Sequence, residues 1–252
     1  VEYLVVQIAS QHRLLILGSH LIEIETSLKP SVSVIWLHGL GASGDDFVPI
    51  IPELTLPVGA GIRFIFPSAP VMPVTINGGY VMPAWYDILS LDEHSRVVDQ
   101  AGIVQSCRFV HDLIAREHTR GIASSHILIA GFSQGGAITY TAGLTYPEAL
   151  GGLITLSTYL PEPQLVELGL PDISGHRKPS SANQYTPIFA GHGTHDDVVS
   201  VRLGEAARSF CQRHGNDISW HTYPIEHTLS LQEIDDLSRW LSQRYQEITA
   251  AS

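Results

Sequence analysis

The chain has 252 residues, 44% hydrophobic and only 15% charged, which suits one large domain with a substantial buried core and no need of disulfide staples. Its net charge of −11 argues against nucleic-acid binding, which wants a basic footprint, and against electrostatic attachment to an anionic membrane surface. No apolar run approaches the ~20 residues of a membrane span, so no stable membrane insertion is expected.

Residues 1–20 hold only the short apolar run Leu14-Leu15-Ile16-Leu17, and Glu2 precedes it instead of a basic cluster. That makes a poor signal peptide and leaves a cytoplasmic location as the expectation. Beyond them, short β-rich runs alternate with longer helical ones, the pattern of βα units feeding a mostly parallel sheet. Residues 21–25 alternate as a half-exposed strand, whereas 32–37 are more continuously apolar and enter the turn His38-Gly39. A short helix is expected over 45–54, limited by Pro49 and Pro52, then a buried strand over 62–66. A long Pro- and Gly-rich loop follows over 67–87, and structureless stretches of that length are usually functional.

A helix is predicted over 95–117, with Val97, Ala101, Val104, Cys107, Val110 and Ile114 at helical spacing. Strand 127–130, helix 134–145 and strand 153–156 come next. The polar, irregular stretch 161–184 reads as a surface excursion. The alternation resumes with strand 187–190, helix 199–213, strand 218–223 and a last helix over 231–245. That helix opens on the capping box Ser230-x-x-Glu233 and carries Leu231, Ile234, Leu237 and Leu241 on one face. Cys107 and Cys211 both fall on apolar helix stripes and read as buried free thiols. With no repeat or linker, 21–252 form a single domain behind an N-terminal extension over 1–20.

The sharpest chemical signal is Gly131-Phe132-Ser133-Gln134-Gly135, a G-x-S-x-G spacing between an apolar strand and a helix-compatible run. A strand-to-helix turn this tight strains the serine backbone and needs small neighbours, here Gly131 and Gly135, while Gly136 lets the helix approach the sheet. A serine hydroxyl needs a base to take its proton. In such a fold the acid and the histidine follow the serine in chain order. Asp196 and Asp197, after strand 187–190, are both candidates for the acid. His227 lies in the loop before the last helix, where the base is expected; His221 falls within a strand and is the weaker choice. Other histidines, such as His12, His94, His118 and His214, read as solvated surface residues.

His192, His195 and Asp196 could be mistaken for zinc ligands, but a hydrolytic site needs all its ligands at consistent positions, and no further residue completes one. The turn His38-Gly39-Leu40-Gly41, directly after a buried strand, resembles loops that supply one backbone N–H to an oxyanion; the other comes from Gln134.

Taken together, Leu37-His38-Gly39-Leu40-Gly41, Asn77-Gly78-Gly79, Met82-Pro83-Ala84-Trp85-Tyr86-Asp87-Ile88 and Gly131-Phe132-Ser133-Gln134-Gly135-Gly136 resemble the phospholipase/carboxylesterase family of bacterial carboxylesterases and acyl-protein thioesterases. The resemblance covers about 21–245. It implies a small, lidless α/β-hydrolase fold with a mostly parallel central sheet flanked by helices, hydrolysing carboxylic esters, acyl thioesters or lysophospholipids without metal or cofactor. By motif it implies Ser133 as nucleophile, Asp196 as acid, His227 as base, and Leu40 and Gln134 as oxyanion donors. Gly193-Thr194-His195-Asp196-Asp197-Val198-Val199 favours Asp196 over Asp197. Trp85 matches a residue near the acyl-binding cleft.

Three features depart from the family pattern. Glu226 stands where Gly often precedes the histidine, and its charge would bear on the imidazole if it turned toward the ring. Asp197 takes a place where proline is frequent, and the excursion 161–184 is longer than usual. The expected partner is a small acyl-ester or thioester substrate, and exposed apolar loops near the cleft could support a homodimer. A peptidase or lipase of the same fold, or a non-catalytic binding module, is the alternative. Fold alone does not separate these chemistries.

Overall fold

The computed structural model describes residues 21–91 and 96–250 and the backbone of 4–9 and 12–16. In chain order the strands are β1 (Leu4–Ala9), β2 (His12–Ile16), β3 (Leu21–Glu25), β4 (Val32–Leu37), β5 (Ile62–Pro67), β6 (Val71–Val74), β7 (Tyr80–Pro83), β8 (Ile88–Leu91), β9 (Arg96–Val98), β10 (Ile127–Phe132), β11 (Gly152–Leu156), β12 (Ile188–Gly193) and β13 (Ile218–Tyr223). The α-helices are α1 (Gln100–Thr119), α2 (Gln134–Thr145), α3 (Pro163–Leu168), α4 (Val201–Arg213) and α5 (Leu231–Ala250).

Nine strands form one sheet in the order β1-β2-β3-β5-β4-β10-β11-β12-β13. The pairs from β1 to β5 are antiparallel, and from β5 to β13 every neighbour is parallel. Buried on both faces, the inner strands carry near-continuous apolar runs; β4, β5 and β11 are buried throughout. One face packs against α1, α2 and α4, the other against α5 and a 3₁₀ helix over Gly44–Glu53. Helix α2 is buried along its whole length, and Thr139, Thr141 and Thr145 satisfy their hydroxyls on the carbonyls four residues back.

The chain runs outward from β4 to β5 and returns on the other side of β4 as β10. The sheet therefore reverses its winding between β4 and β10, and the crevice outside their carboxyl ends is where ligands bind in such sheets. The turn after β4 and the turn after β10 carry Leu40 and Ser133.

Several expectations are corrected. The 67–87 loop is partly ordered by the β6–β7 pair and a short 3₁₀ turn over Thr75–Asn77. The helix expected from 95 starts at Gln100, because Asp99 caps it through the N–H groups of Ala101 and Gly102 (3.0 and 3.1 Å), and Val97 belongs to β9. The 45–54 segment is 3₁₀, as its two prolines favour. Strand β3 is not half-exposed: Glu23 is 0% exposed, paired with Arg116 and Arg120 (both 2.8 Å), and Glu25 is paired with Arg63 at 2.9 Å. The excursion 161–184 contains α3, and β1 and β2, over 4–9 and 12–16, extend the sheet edge.

Cys107 and Cys211 are buried and unpaired, and burial pushes both thiols up, Cys211 to about 12. His118 and His214 lie half-buried at the surface, bonded to Ser124 and the Phe210 carbonyl; the side chains of His12 and His94 lie outside the described residues. No helix among the described residues is long and apolar enough to cross a membrane.

Candidate active site

Ser133 occupies φ 54° and ψ −120°, a strained conformation for a side-chain-bearing residue, at the junction of β10 and α2. The turn closes because its glycines carry nothing. A Cβ on Gly131 would come within 2.4 Å of the Gly135 backbone, and one on Gly135 within 2.3 Å of the Leu37 carbonyl. The Ser133 N–H donates to Leu156 O (2.9 Å) and the Thr158 hydroxyl donates to Ser133 O (2.6 Å), which anchors the strained residue to the end of β11.

His227 reaches Ser133 from the loop between β13 and α5, its Nε2 lying 2.9 Å from Ser133 Oγ. Its Nδ1 stands 2.7 Å from Asp196 Oδ2. A carboxylate only accepts, so Nδ1 carries the proton and donates to Asp196, leaving Nε2 free to accept the serine proton. Phe132 lies against the imidazole, with ring centroids 4.7 Å apart.

Asp196 Oδ1 accepts the N–H groups of Val198 (3.0 Å) and Val199 (2.7 Å). Burial alone would raise this carboxyl, but the bonds from His227 and Val199 and the nearby imidazoles outweigh it and hold the carboxyl below its usual range. Asp197 and Glu226 are exposed, and neither carboxylate has a hydrogen bond or ion pair among the described residues. His221 sits apart, bonded to Ser219 and stacked on Phe189. His195 is exposed, and the Nε2 of buried His192 is committed to Val199 O at 2.8 Å. Among the described residues no group of His, Cys, Asp and Glu is placed to hold a metal ion.

The Gly39 backbone approaches Ser133, where a Cβ on Gly39 would meet the Ser133 Cβ at 3.5 Å. The N–H of Leu40 has no hydrogen-bond partner among the described residues, and the Gln134 N–H belongs to the unpaired first turn of α2. Three side chains that the sequence reading did not single out for this task hold these donors. His38 donates from Nδ1 to Gly39 O (2.7 Å) and accepts the Ala69 N–H at Nε2 (2.9 Å), and burial keeps it neutral by lowering its pKa. Gln134 accepts the Trp85 N–H (2.8 Å) and donates to Tyr86 O (2.8 Å). Trp85 donates its indole N–H to His38 O at 2.8 Å.

Trp85 is buried and does not line the Ser133 cleft; it borders a neighbouring cavity of about 470 Å³ with Met72 and Phe109. The cleft itself, about 520 Å³, has Ser133 and His227 among walls of Leu40, Phe47, Phe132, Val198 and Leu229. Such an arrangement can activate a hydroxyl, receive an apolar acyl group beside it and offer N–H donors to a developing oxyanion.

Residues 20–244 match the family described as Phospholipase/Carboxylesterase. Acyl-protein thioesterase 1 of Neurospora crassa is 36% identical over 228 residues, covering 88% of this chain and 90% of that protein. A probable carboxylesterase of Oryza sativa subsp. japonica is 37% identical over 210 residues, 82% of this chain and 76% of that protein. The crystal structure of Arabidopsis thaliana SOBER1 superposes with a TM-score of 0.76 at 32% identity, covering 84% of this chain and 98% of that one.

Proposed function

The chain belongs to the phospholipase/carboxylesterase family, and from that premise we propose that it hydrolyses carboxylic esters and acyl thioesters through an acyl-enzyme on Ser133. The observation that carries this reading is the unbroken path Asp196–His227–Ser133, with contacts of 2.7 and 2.9 Å.

In the first half-reaction Ser133 Oγ attacks the acyl carbon while His227 Nε2 takes its proton. Asp196 keeps the ring in the required tautomer and stabilises the imidazolium. The N–H groups of Leu40 and Gln134 bond the oxyanion, a contribution of about 3–4 kcal/mol per donor in comparable sites. The imidazolium then protonates the departing alkoxide or thiolate. In the second half-reaction His227 activates water, which attacks the acyl-serine and releases the acid. The apolar walls Leu40, Phe47, Val198 and Leu229 favour an acyl chain over a charged substituent.

The test is a chain-length series of p-nitrophenyl esters beside an S-acyl peptide and a lysophospholipid, run on wild type and Ser133→Ala. Turnover of esters and of the thioester, both lost in the variant, is expected. Turnover of none of them, or turnover indifferent to the substitution, would overturn the reading.

A further inference from the structure

The orientation of Asp196 depends on the path of the two residues that follow Asp197, because its Oδ1 is bonded by the N–H groups of Val198 and Val199. Both of their carbonyls are tied down. Val199 O accepts from buried His192 at 2.8 Å. Val198 O accepts from a guanidinium N–H of Arg96, 102 residues earlier in the chain, on a strand pair that lies outside the main sheet.

Arg96 is itself seated on a platform. Its guanidinium lies over the ring of Tyr159, 4.7 Å from the centroid. Tyr159 is buried, and its hydroxyl is 2.7 Å from that of Tyr86. The Tyr86 carbonyl accepts from the side chain of Gln134, the residue after Ser133. Arg96 therefore joins the acid-bearing loop to the packing behind the serine. The Val198 side chain, 53% exposed, also forms one wall of the cleft.

We propose that Arg96 is a positioning residue of this esterase, which pins Val198 so that Asp196 stays aligned with His227 and the cleft keeps its wall. A planar guanidinium can stack flat on a ring and still donate in its own plane to a carbonyl, which an ammonium cannot do in one geometry. Without the tie, the Val198 and Val199 amides that orient Asp196 are free to shift. A displacement near 1 Å in a catalytic group costs about 10²-fold in rate. The inference rests on the assignment of Ser133, His227 and Asp196 above.

The experiment measures kcat and KM separately for Arg96→Met, Arg96→Lys and Ser133→Ala on p-nitrophenyl acetate and octanoate, with thermal midpoints alongside. Methionine keeps an apolar stem over Tyr159, so the fold is expected to survive. Arg96→Met should lower kcat by roughly 10- to 100-fold on both esters while KM for the acetate stays within about two-fold. Arg96→Lys should regain part of the lost kcat, and millimolar guanidinium ion should restore part of it in Arg96→Met while leaving wild type unchanged. A kcat within about two-fold of wild type in Arg96→Met would overturn the proposal. So would a loss that follows the thermal midpoint and responds neither to lysine nor to guanidinium, since that marks a purely structural residue. Activity in Ser133→Ala would instead overturn the reading of the site itself.

Discussion

The carboxyl of Glu233 is pressed against Gly191: a Cβ at 191 would come within 2.2 Å of Glu233 Oε1. Only half of the capping box at the start of α5 is formed. The Glu233 N–H donates to Ser230 Oγ at 3.1 Å, but the carboxyl turns inward and neither oxygen has a hydrogen-bond partner among the described residues. Burial pushes this group up to about 8, with the Ser230 backbone N–H, short of a full hydrogen bond, opposing the rise and the nearby Asp236 adding to it.

The pH dependence of stability follows from that carboxyl. In the unfolded chain it ionises near its ordinary value of 4.5, while in the fold it keeps its proton to about 8. Its contribution is fully present below the lower value and is lost as pH rises through the upper one, by a few kcal/mol at about 1.4 kcal/mol per unit. Glu233→Gln has no proton to lose. Urea unfolding between pH 5 and 9 should show wild type losing stability relative to the variant as pH rises. Parallel curves would contradict the buried, protonated state.

The two adjacent acids should behave very differently. Asp196→Asn replaces the acceptor of the His227 proton and should lower kcat by about 10⁴-fold with the fold retained. Asp197, exposed and without partners among the described residues, should tolerate Asn with a change of at most about three-fold. Steady-state rates on one activated ester decide it, and reversed effects would place the acid one residue later.

Trp85 is expected to act through the donor loop. Trp85→Phe leaves the buried His38 carbonyl without its indole partner, a defect of about 1–3 kcal/mol. Because that carbonyl lies two residues before Leu40, kcat should fall about ten-fold with little change in KM. An unchanged kcat beside a lowered unfolding midpoint would show that the ring only packs.

How much of this is legible in the sequence varies with the range of the interactions. The Ser133 turn is readable because its requirements are local: small residues at 131 and 135, a β-rich run before and a helical run after. His227 is readable because chain order places it between β13 and α5. Alternation misleads at β3, where Glu23 and Glu25 mimic a solvent-facing row but are buried against Arg63, Arg116 and Arg120 from elsewhere in the chain. The start of α1 was within reach, since Asp99 is a good cap; the apolar Val97 falls in helical register by coincidence. The role of His38 rests on Ala69, 31 residues away, and that of Arg96 on Val198, 102 residues away, so neither has a local signature.

The central claim, an acyl-enzyme on Ser133, is tested most directly by intact and peptide mass spectrometry after reaction with a fluorophosphonate. Wild type should gain a single adduct on the peptide containing Ser133, with ester turnover falling in step, and folded Ser133→Ala should gain none and show no turnover. An adduct on another residue that abolishes activity, or turnover by Ser133→Ala above a few per cent of wild type, would contradict the account.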